Sequence, residues 1–302
     1  PQHWSSAASD VYKRQGFCNG PAVFERAMDR IFAGLDFVVI YLDDVIICSK
    51  TEEEHLRHLK QVFERVLKHR LKLRLIKCKF FQREIKYLGL IVNEEGIQCD
   101  QSYVQKLIRM KPPSGSADLA RFLGMVQWLG RFIPNLSKLT GHFSSMKNKG
   151  FQWQETEEEL FEALKTAIEN AKILRHPDFS KEFYVQTDAS NKAIGAVLLQ
   201  DFDRGVLEPI EFASRKLSQT EQNWHVSDKE LVAIVFALNK WIRYLLPKHF
   251  TVFTDHKNLQ ELFKAGKHKK NQRLQRWIVM LQQFDFTAIY LSGKENYLSL
   301  IH

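Results

Sequence analysis

Two groups of carboxylates stand where metal-dependent chemistry would need them. The first is Asp43-Asp44, inside the run FVVIYLDDVIICS. An Asp pair in a turn is, taken alone, an ordinary polar hairpin tip. Here the flanking runs FVVIY and VIIC leave the two carboxylates as the only charges in a long apolar ribbon. Unpaired buried carboxylates are costly, and a divalent cation satisfies them. Nucleotidyl transfer uses such ligands, because two Mg²⁺ ions about 4 Å apart stabilise the attacking and leaving oxygens together.

The second group is dispersed along the chain. Asp188 ends the apolar phrase FYVQTDAS, Glu230 lies in SDKELVAIVFAL, and Asp255 ends FTVFTDHKNL. Each has a plain structural explanation. Asp188 suits an Asx turn, Ser227-x-x-Glu230 reads as a capping box, and Asp255 could cap the helix that follows it. Two strand-end Asp residues and one first-turn Glu, in the order β-β-β-α-β, would nevertheless converge at one sheet edge. That arrangement suits two Mg²⁺ ions and in-line attack of water on a phosphodiester.

The elements that must position these groups are legible in the hydrophobic spacing. A loop at 16–21 leads into a helix over about 22–32, and the two apolar segments around Asp43-Asp44 form a hairpin with buried flanks and a presented turn. Thr51 to Glu54 is a capping box, followed by Leu56, Leu59, Phe63, Val66 and Leu67 at helical intervals. A short strand at 71–75 and a hairpin at 87–92, with its turn at 94–96, complete an α/β unit. From Gln101 the pattern changes to small helices, with a breaker at 111–116, a helix over 118–133 and a capping box from Thr156 to Glu159. Beyond Pro177 the spacing predicts strands at 183–187, 193–200, 209–214, 250–254 and 286–291, and helices at 229–245, 259–263 and 274–283.

Composition bounds the reading. The chain has 302 residues, 44% of them hydrophobic and 12% aromatic, enough for two domains with real cores. A formal charge of +9 makes an anionic partner the first expectation, nucleic acid foremost. The four cysteines (Cys18, Cys48, Cys78 and Cys99) form no CxxC pair and read as reduced thiols of an intracellular protein. No apolar run approaches a bilayer span.

Several ordered phrases carry a family resemblance. FCNGPAVFERAMDRIF, YLDD, KLRLIKCKF and YLGLIV resemble the second half of a reverse transcriptase palm from gypsy-type long-terminal-repeat retrotransposons. TDAS, IGAVL, FASRKLS, KELVAIVFAL, FTVFTDHK, RLQRW and GKEN resemble the RNase H domain of the same elements. The resemblance implies Asp43 and Asp44 in the polymerase metal site, Gly16 near the incoming nucleotide and Lys77 near its phosphates. It implies Leu88-Gly89 in a hairpin that holds the primer end. It further implies Asp188, Glu230 and Asp255 as metal ligands that cut the RNA strand of an RNA–DNA hybrid, with Mg²⁺ the cofactor and Mn²⁺ an alternative. Arg273 and Arg276 fit a hybrid-contacting phrase. The basic runs 68–86 and 264–276 would track a phosphate backbone, although for 264–270 a solvated face explains the charges equally well. Trp128 and Trp224 read as core residues before stacking platforms.

Two departures from the family pattern shape the expectation for activity. The family's other polymerase Asp lies upstream of Gly16, and its fourth nuclease carboxylate follows GKEN, where this chain reads Tyr297-Leu-Ser-Leu-Ile-His302. The expected fold is α+β: a partial palm of β-hairpins with helices at 16–98, a small helical thumb or connection at 99–176, and an RNase H-like mixed sheet with flanking helices at 177–297. Residues 1–15 and 298–302 resemble translated sequencing adaptor and read as non-native tails. The expected partners are RNA–DNA hybrid, primer-template and deoxynucleoside triphosphates. Both activities are expected to be impaired, and a non-catalytic nucleic-acid-binding remnant is the alternative.

Overall fold

The computed structural model describes residues 20–42, 44–149, 151–202, 205–255 and 272–291, the side chains of 147–149 excepted. Its contacts divide the chain into two compact units, Pro1–Arg83 and Glu84–His302.

In the first unit, α1 (Gly20–Ile31) precedes an antiparallel hairpin of β1 (Val38–Tyr41) and β2 (Asp44–Ile47), and α2 (Glu52–Lys68) follows. The capping expected at Thr51 is present. Its hydroxyl accepts from the Glu54 amide at 3.2 Å, and the Glu54 carboxylate accepts from the Lys50 amide at 2.7 Å. Met28, Phe32, Val62 and Val66 form the core, against which Val38, Ile40, Val45 and Ile47 pack. Only that face of the hairpin is sheltered, because Val39 and Tyr41 are exposed. The strand expected at 71–75 does not form. The alternating Leu71-Lys-Leu-Arg74 mimics a strand, but among the described residues nothing pairs with it, and the segment ends in a 3-10 turn at Leu75–Lys77.

The second unit begins with a small antiparallel sheet of β3 (Glu84–Tyr87), β4 (Leu90–Asn93) and β5 (Ile97–Cys99). The first turn is the tight Leu88-Gly89 pair, with φ of 51° and 77°. Two consecutive left-handed residues make the primed turn whose twist matches flanking strands. The second turn, expected near 94–96, is present, and Asn93 Oδ1 accepts from the amides of Glu95 and Gly96 at 3.0 and 3.1 Å. By its contacts this sheet falls in the same compact unit as the helices that follow. The Ile97–Leu174 bridge and the packing of Leu90 and Ile97 on the helical core give the reason.

Helices α3 (Gln101–Ile108), α4 (Ser116–Trp128), α5 (Leu136–Lys149) and α6 (Glu155–Glu169) come next. The helix expected to reach residue 133 tightens into a 3-10 turn at Leu129–Arg131. The capping box at α6 belongs to Gln154 and Glu157, not to Thr156 and Glu159. The remaining elements are β6 (Phe183–Ala189), β7 (Ala193–Asp201), β8 (Leu207–Lys216), the short α7 (Gln219–Gln222), α8 (Val226–Lys240), the short α9 (Ile242–Leu245), β9 (Phe250–Thr254), α10 (Gln272–Leu281) and β10 (Phe286–Tyr290). The strands form one mixed sheet in the order β10-β9-β6-β7-β8, antiparallel across β6–β7–β8 and parallel across β6, β9 and β10. The helix expected at 259–263 lies outside the described residues.

Both faces of this sheet are buried. Alternation along β7 sends Ala196 and Leu198 to a core with Phe183, Val185, Leu231, Ile234 and Trp241. Val197 and Leu199 join a different core with Phe122, Phe132, Leu136, Phe143 and Phe161. The segment read as a connection therefore closes one side of the nuclease-like sheet, and the two share a hydrophobic core.

Candidate active site

At the end of this sheet Glu230 and Asp255 engage each other, and Asp188 stands near enough for its charge to act on Glu230. Asp188 is the penultimate residue of β6 and pairs across the antiparallel ladder with Gly195. Strands β6 and β9 run parallel with Gln186 opposite Phe253, the last registered pair. Continuing that register by two residues sets Asp188 level with Asp255, at the C-terminal ends of neighbouring strands. Buried Thr187 and Thr254 anchor the two positions immediately before them.

Glu230 comes from α8. The helix is capped by His225, whose Nδ1 accepts from the Ser227 amide at 3.3 Å. The Ser227–Glu230 capping box is thus not formed, and Glu230 falls in the second turn, where the helix packs on the sheet. Its side chain is only 4% exposed, and its Oε2 has no hydrogen-bond partner among the described residues. Burial first, then the charge of Asp255 and a hydrogen bond with it, then the charge of Asp188, push the Glu230 carboxyl up to about 9. The three groups therefore feel one another electrically, as convergence at a sheet edge requires.

An oxygen-only donor set with a buried, unsatisfied carboxylate oxygen fits a hard divalent cation. Among the described residues, no three His, Cys, Asp or Glu side chains already stand in a metal-holding arrangement. Glu230 and Asp255 instead engage each other.

The other sequence candidates are less assembled. Asp43 and Gly16 lie outside the described residues. Asp44 opens β2 opposite Tyr41 and is exposed, so the burial argument made for the pair does not apply to it. Lys77 ends the 3-10 turn and is exposed. Leu88 and Gly89 form a hairpin tip backed by Trp128, 3.3 Å from where a Cβ on Gly89 would stand. Trp128 is 39% exposed and meets Tyr103 edge-on. Arg273 is ion-paired with Asp228 and lies over the rings of Trp224 and Trp277 at 4.0 and 5.5 Å. That cage occupies the guanidinium with structure, while Arg276 on the same helix is exposed.

Three residues beside Asp188 carry no functional signal in the sequence. Asn135, Lys138 and Ser190 line a cleft with Asp188 and Gly195. The phrase IPNLSK looks like an ordinary helix start, and nothing in its spacing signals a neighbour some fifty residues on. A cavity of about 620 Å³ between Trp224, Phe236, Trp277 and Arg215 includes none of the three carboxylates.

Comparison with known proteins agrees with the phrases in the sequence. Residues 8–92 match the reverse transcriptase (RNA-dependent DNA polymerase) family, and residues 178–284 match the RNase H-like domain found in reverse transcriptase. Both families use divalent metal ions. The Tf2-3 polyprotein of Schizosaccharomyces pombe is 35% identical over 290 residues, which is 94% of this chain and 22% of that polyprotein. The Tf2-7 polyprotein of the same yeast is 34% identical over the same length. The chain spans about a fifth of these relatives. Among solved structures, the foamy viral protease-reverse transcriptase bound to double-stranded DNA superposes with a TM-score of 0.81 at 23% identity, covering 92% of this chain and 50% of that one. The same enzyme with an RNA/DNA hybrid gives 0.79 at 24% identity, covering 92% and 38%. At such identity these structures establish the fold. With two ordered domain matches and similarity to transposon polyproteins along 94% of its length, the chain carries a reverse transcriptase-family region followed by an RNase H-like region of the kind found in reverse transcriptase.

Proposed function

We propose that the second unit carries a ribonuclease H site in which Asp188, Glu230 and Asp255 hold Mg²⁺ and the substrate is the RNA strand of an RNA–DNA hybrid. The observation that carries the reading is the convergence of these three carboxylates, with Glu230 buried and electrically coupled to both Asp residues. Bound there, Mg²⁺ would supply an activated water and neutralise charge developing on the phosphodiester. The chain's own residues set the conditions. Asp188 and Asp255 present anionic oxygens from rigid strand ends, and Glu230 gives up its proton as a cation binds. Helix α8, pinned by Leu231 and Ile234 in the core, keeps Glu230 in place.

The first unit is read as part of a polymerase palm, with Asp43 and Asp44 the ligands of its metal site and Lys77 and Gly16 toward the nucleotide. Leu88-Gly89 is read as the primer-holding hairpin, and Arg276 as a backbone contact on the hybrid. The net charge of +9 supports a polyanionic partner.

The test is cleavage of a labelled RNA–DNA hybrid in Mg²⁺, paired with the thermal shift that Mg²⁺ produces. We expect Mg²⁺ to raise Tm in the natural sequence and not in Asp188→Asn, and any RNA cleavage to vanish in that variant. A Tm indifferent to Mg²⁺ would remove the metal site. Hybrid binding without cleavage would favour the non-catalytic remnant.

A further inference from the structure

We propose that Lys138, in the first turn of the connection helix α5, is a substrate-positioning residue of the nuclease site that holds a phosphate of the hybrid beside the carboxylates. The proposal rests on the nuclease reading above and deepens it.

Three observations lead there. First, side chains alternate across a strand, and cross-strand partners share a face. Asp188 and its partner Gly195 therefore lie on the face of the sheet that carries Val197 and Leu199, which is the face covered by the connection helices. Glu230 reaches the site from the opposite face. Second, the start of α5 is docked onto that face. The Ser137 amide donates to Ser214 Oγ at 2.9 Å, the Ser214 hydroxyl donates to Ser137 Oγ at 3.0 Å, and Leu136 is buried in the shared core. Asn135 takes a left-handed backbone, φ 50°, and its side chain presses on Gly195 so closely that a Cβ there would stand 1.9 Å from Asn135 Oδ1. Third, this docking sets Lys138 and Asp188 on the rim of one small gap of about 10 Å³ between α5 and the sheet.

Lys138 is exposed, and a cation in the first turn of a helix opposes the macrodipole. An acidic cluster that must accept a polyanion gains from such a cation. A cation at its rim offsets the repulsion between carboxylates and phosphate, and Lys supplies a point charge suited to a phosphate oxygen. Gly195 then has a role of its own, since only a residue without a side chain lets Asn135 approach and set Lys138 in place.

The experiment is fluorescence anisotropy of the full chain with a short RNA–DNA hybrid over a series of salt concentrations. For Lys138→Ala we expect affinity to fall by roughly 3- to 10-fold and the salt slope to drop by about one, as for loss of one phosphate contact. Lys138→Arg should restore both, and a cooperative melt of each variant checks that the fold is kept. Gly195→Ala should weaken binding similarly, and the double change Gly195→Ala with Asn135→Gly should recover it, since the second substitution removes the clash. Hybrid binding by the natural chain with affinity and slope unaltered in Lys138→Ala would overturn this proposal alone, reducing Lys138 to a counter-charge for Asp188. Failure of the natural chain to bind hybrid at all would overturn the nuclease reading along with it.

Discussion

Replacing Glu230 by Gln should stabilise the metal-free protein, by an amount that grows with pH. In the folded chain burial and Asp255 lift the carboxyl from its usual 4.5 to about 9. A raised acid favours folding fully below the unfolded value, and the benefit is lost as pH climbs through the folded one. Between those limits the unfolded chain ionises and the folded one does not, which costs about 1.4 kcal/mol per pH unit. At pH 7 the natural chain is then roughly 3 kcal/mol worse off than at pH 4.5 on account of this side chain alone. Gln keeps the shape without the titration. Urea unfolding in EDTA at pH 5, 6, 7 and 8 should show the two proteins diverging steadily, the variant the more stable at the upper end. Mg²⁺ should narrow the gap, since cation binding rewards the ionised form by RT ln(1 + [Mg²⁺]/Kd), about 2.7 kcal/mol at a hundredfold excess over Kd. A difference between variant and natural chain that stays constant with pH would refute the claim that Glu230 is buried beside a second carboxylate.

Three further outcomes follow from the packing. Residues 177–297 expressed alone should not fold well, because Val197, Leu199 and Phe212 would lose their cover. Each contributes roughly 1.5–3 kcal/mol by burial, together comparable to the whole stability of a domain; dye binding and loss of near-ultraviolet dichroism would show it, and a cooperative melt would contradict it. Gly89→Ala should cost about 1–2 kcal/mol in urea unfolding, because Gly89 has φ 77° and Trp128 lies 3.3 Å from the new Cβ. Gly89→Asn should lose less than a β-branched substitution, since Asn tolerates the left-handed region. Glu221 is held down to about 2, first by the Arg215 guanidinium, whose two nitrogens donate at 2.9 and 2.8 Å. Its contribution is present above pH 4.5 and disappears as pH falls through about 2, so Glu221→Gln should cost about 1 kcal/mol at pH 6 and nothing near pH 2.

The sequence by itself determined most of the elements and which residue types could hold metal. Strand β9 has the bounds its apolar run predicts, Phe250–Thr254, because five β-branched and aromatic residues between turn signals have few other uses. The capping chemistry at Thr51 was equally local and equally readable. Local signals also misled where the deciding partner was distant. Leu71–Arg74 alternates like a strand but finds no strand to pair with among the described residues, and Ser227–Glu230 spells a capping box that His225 pre-empts.

What tertiary structure alone decided is who faces whom. Periodicity states that β7 is apolar throughout, yet not that Val197 meets the connection helices while Leu198 meets α8. The same limit applies to the site. Spacing in the chain places Asp188, Glu230 and Asp255 at strand and helix ends, but the depth of Glu230 and its coupling to both Asp residues depend on how α8 settles against the sheet. The docking of Asn135 on Gly195, which carries Lys138 to the cleft beside Asp188, has no sequence signature at all. Hydrophobic period is a property of one segment, whereas a cleft is made by segments that fold together.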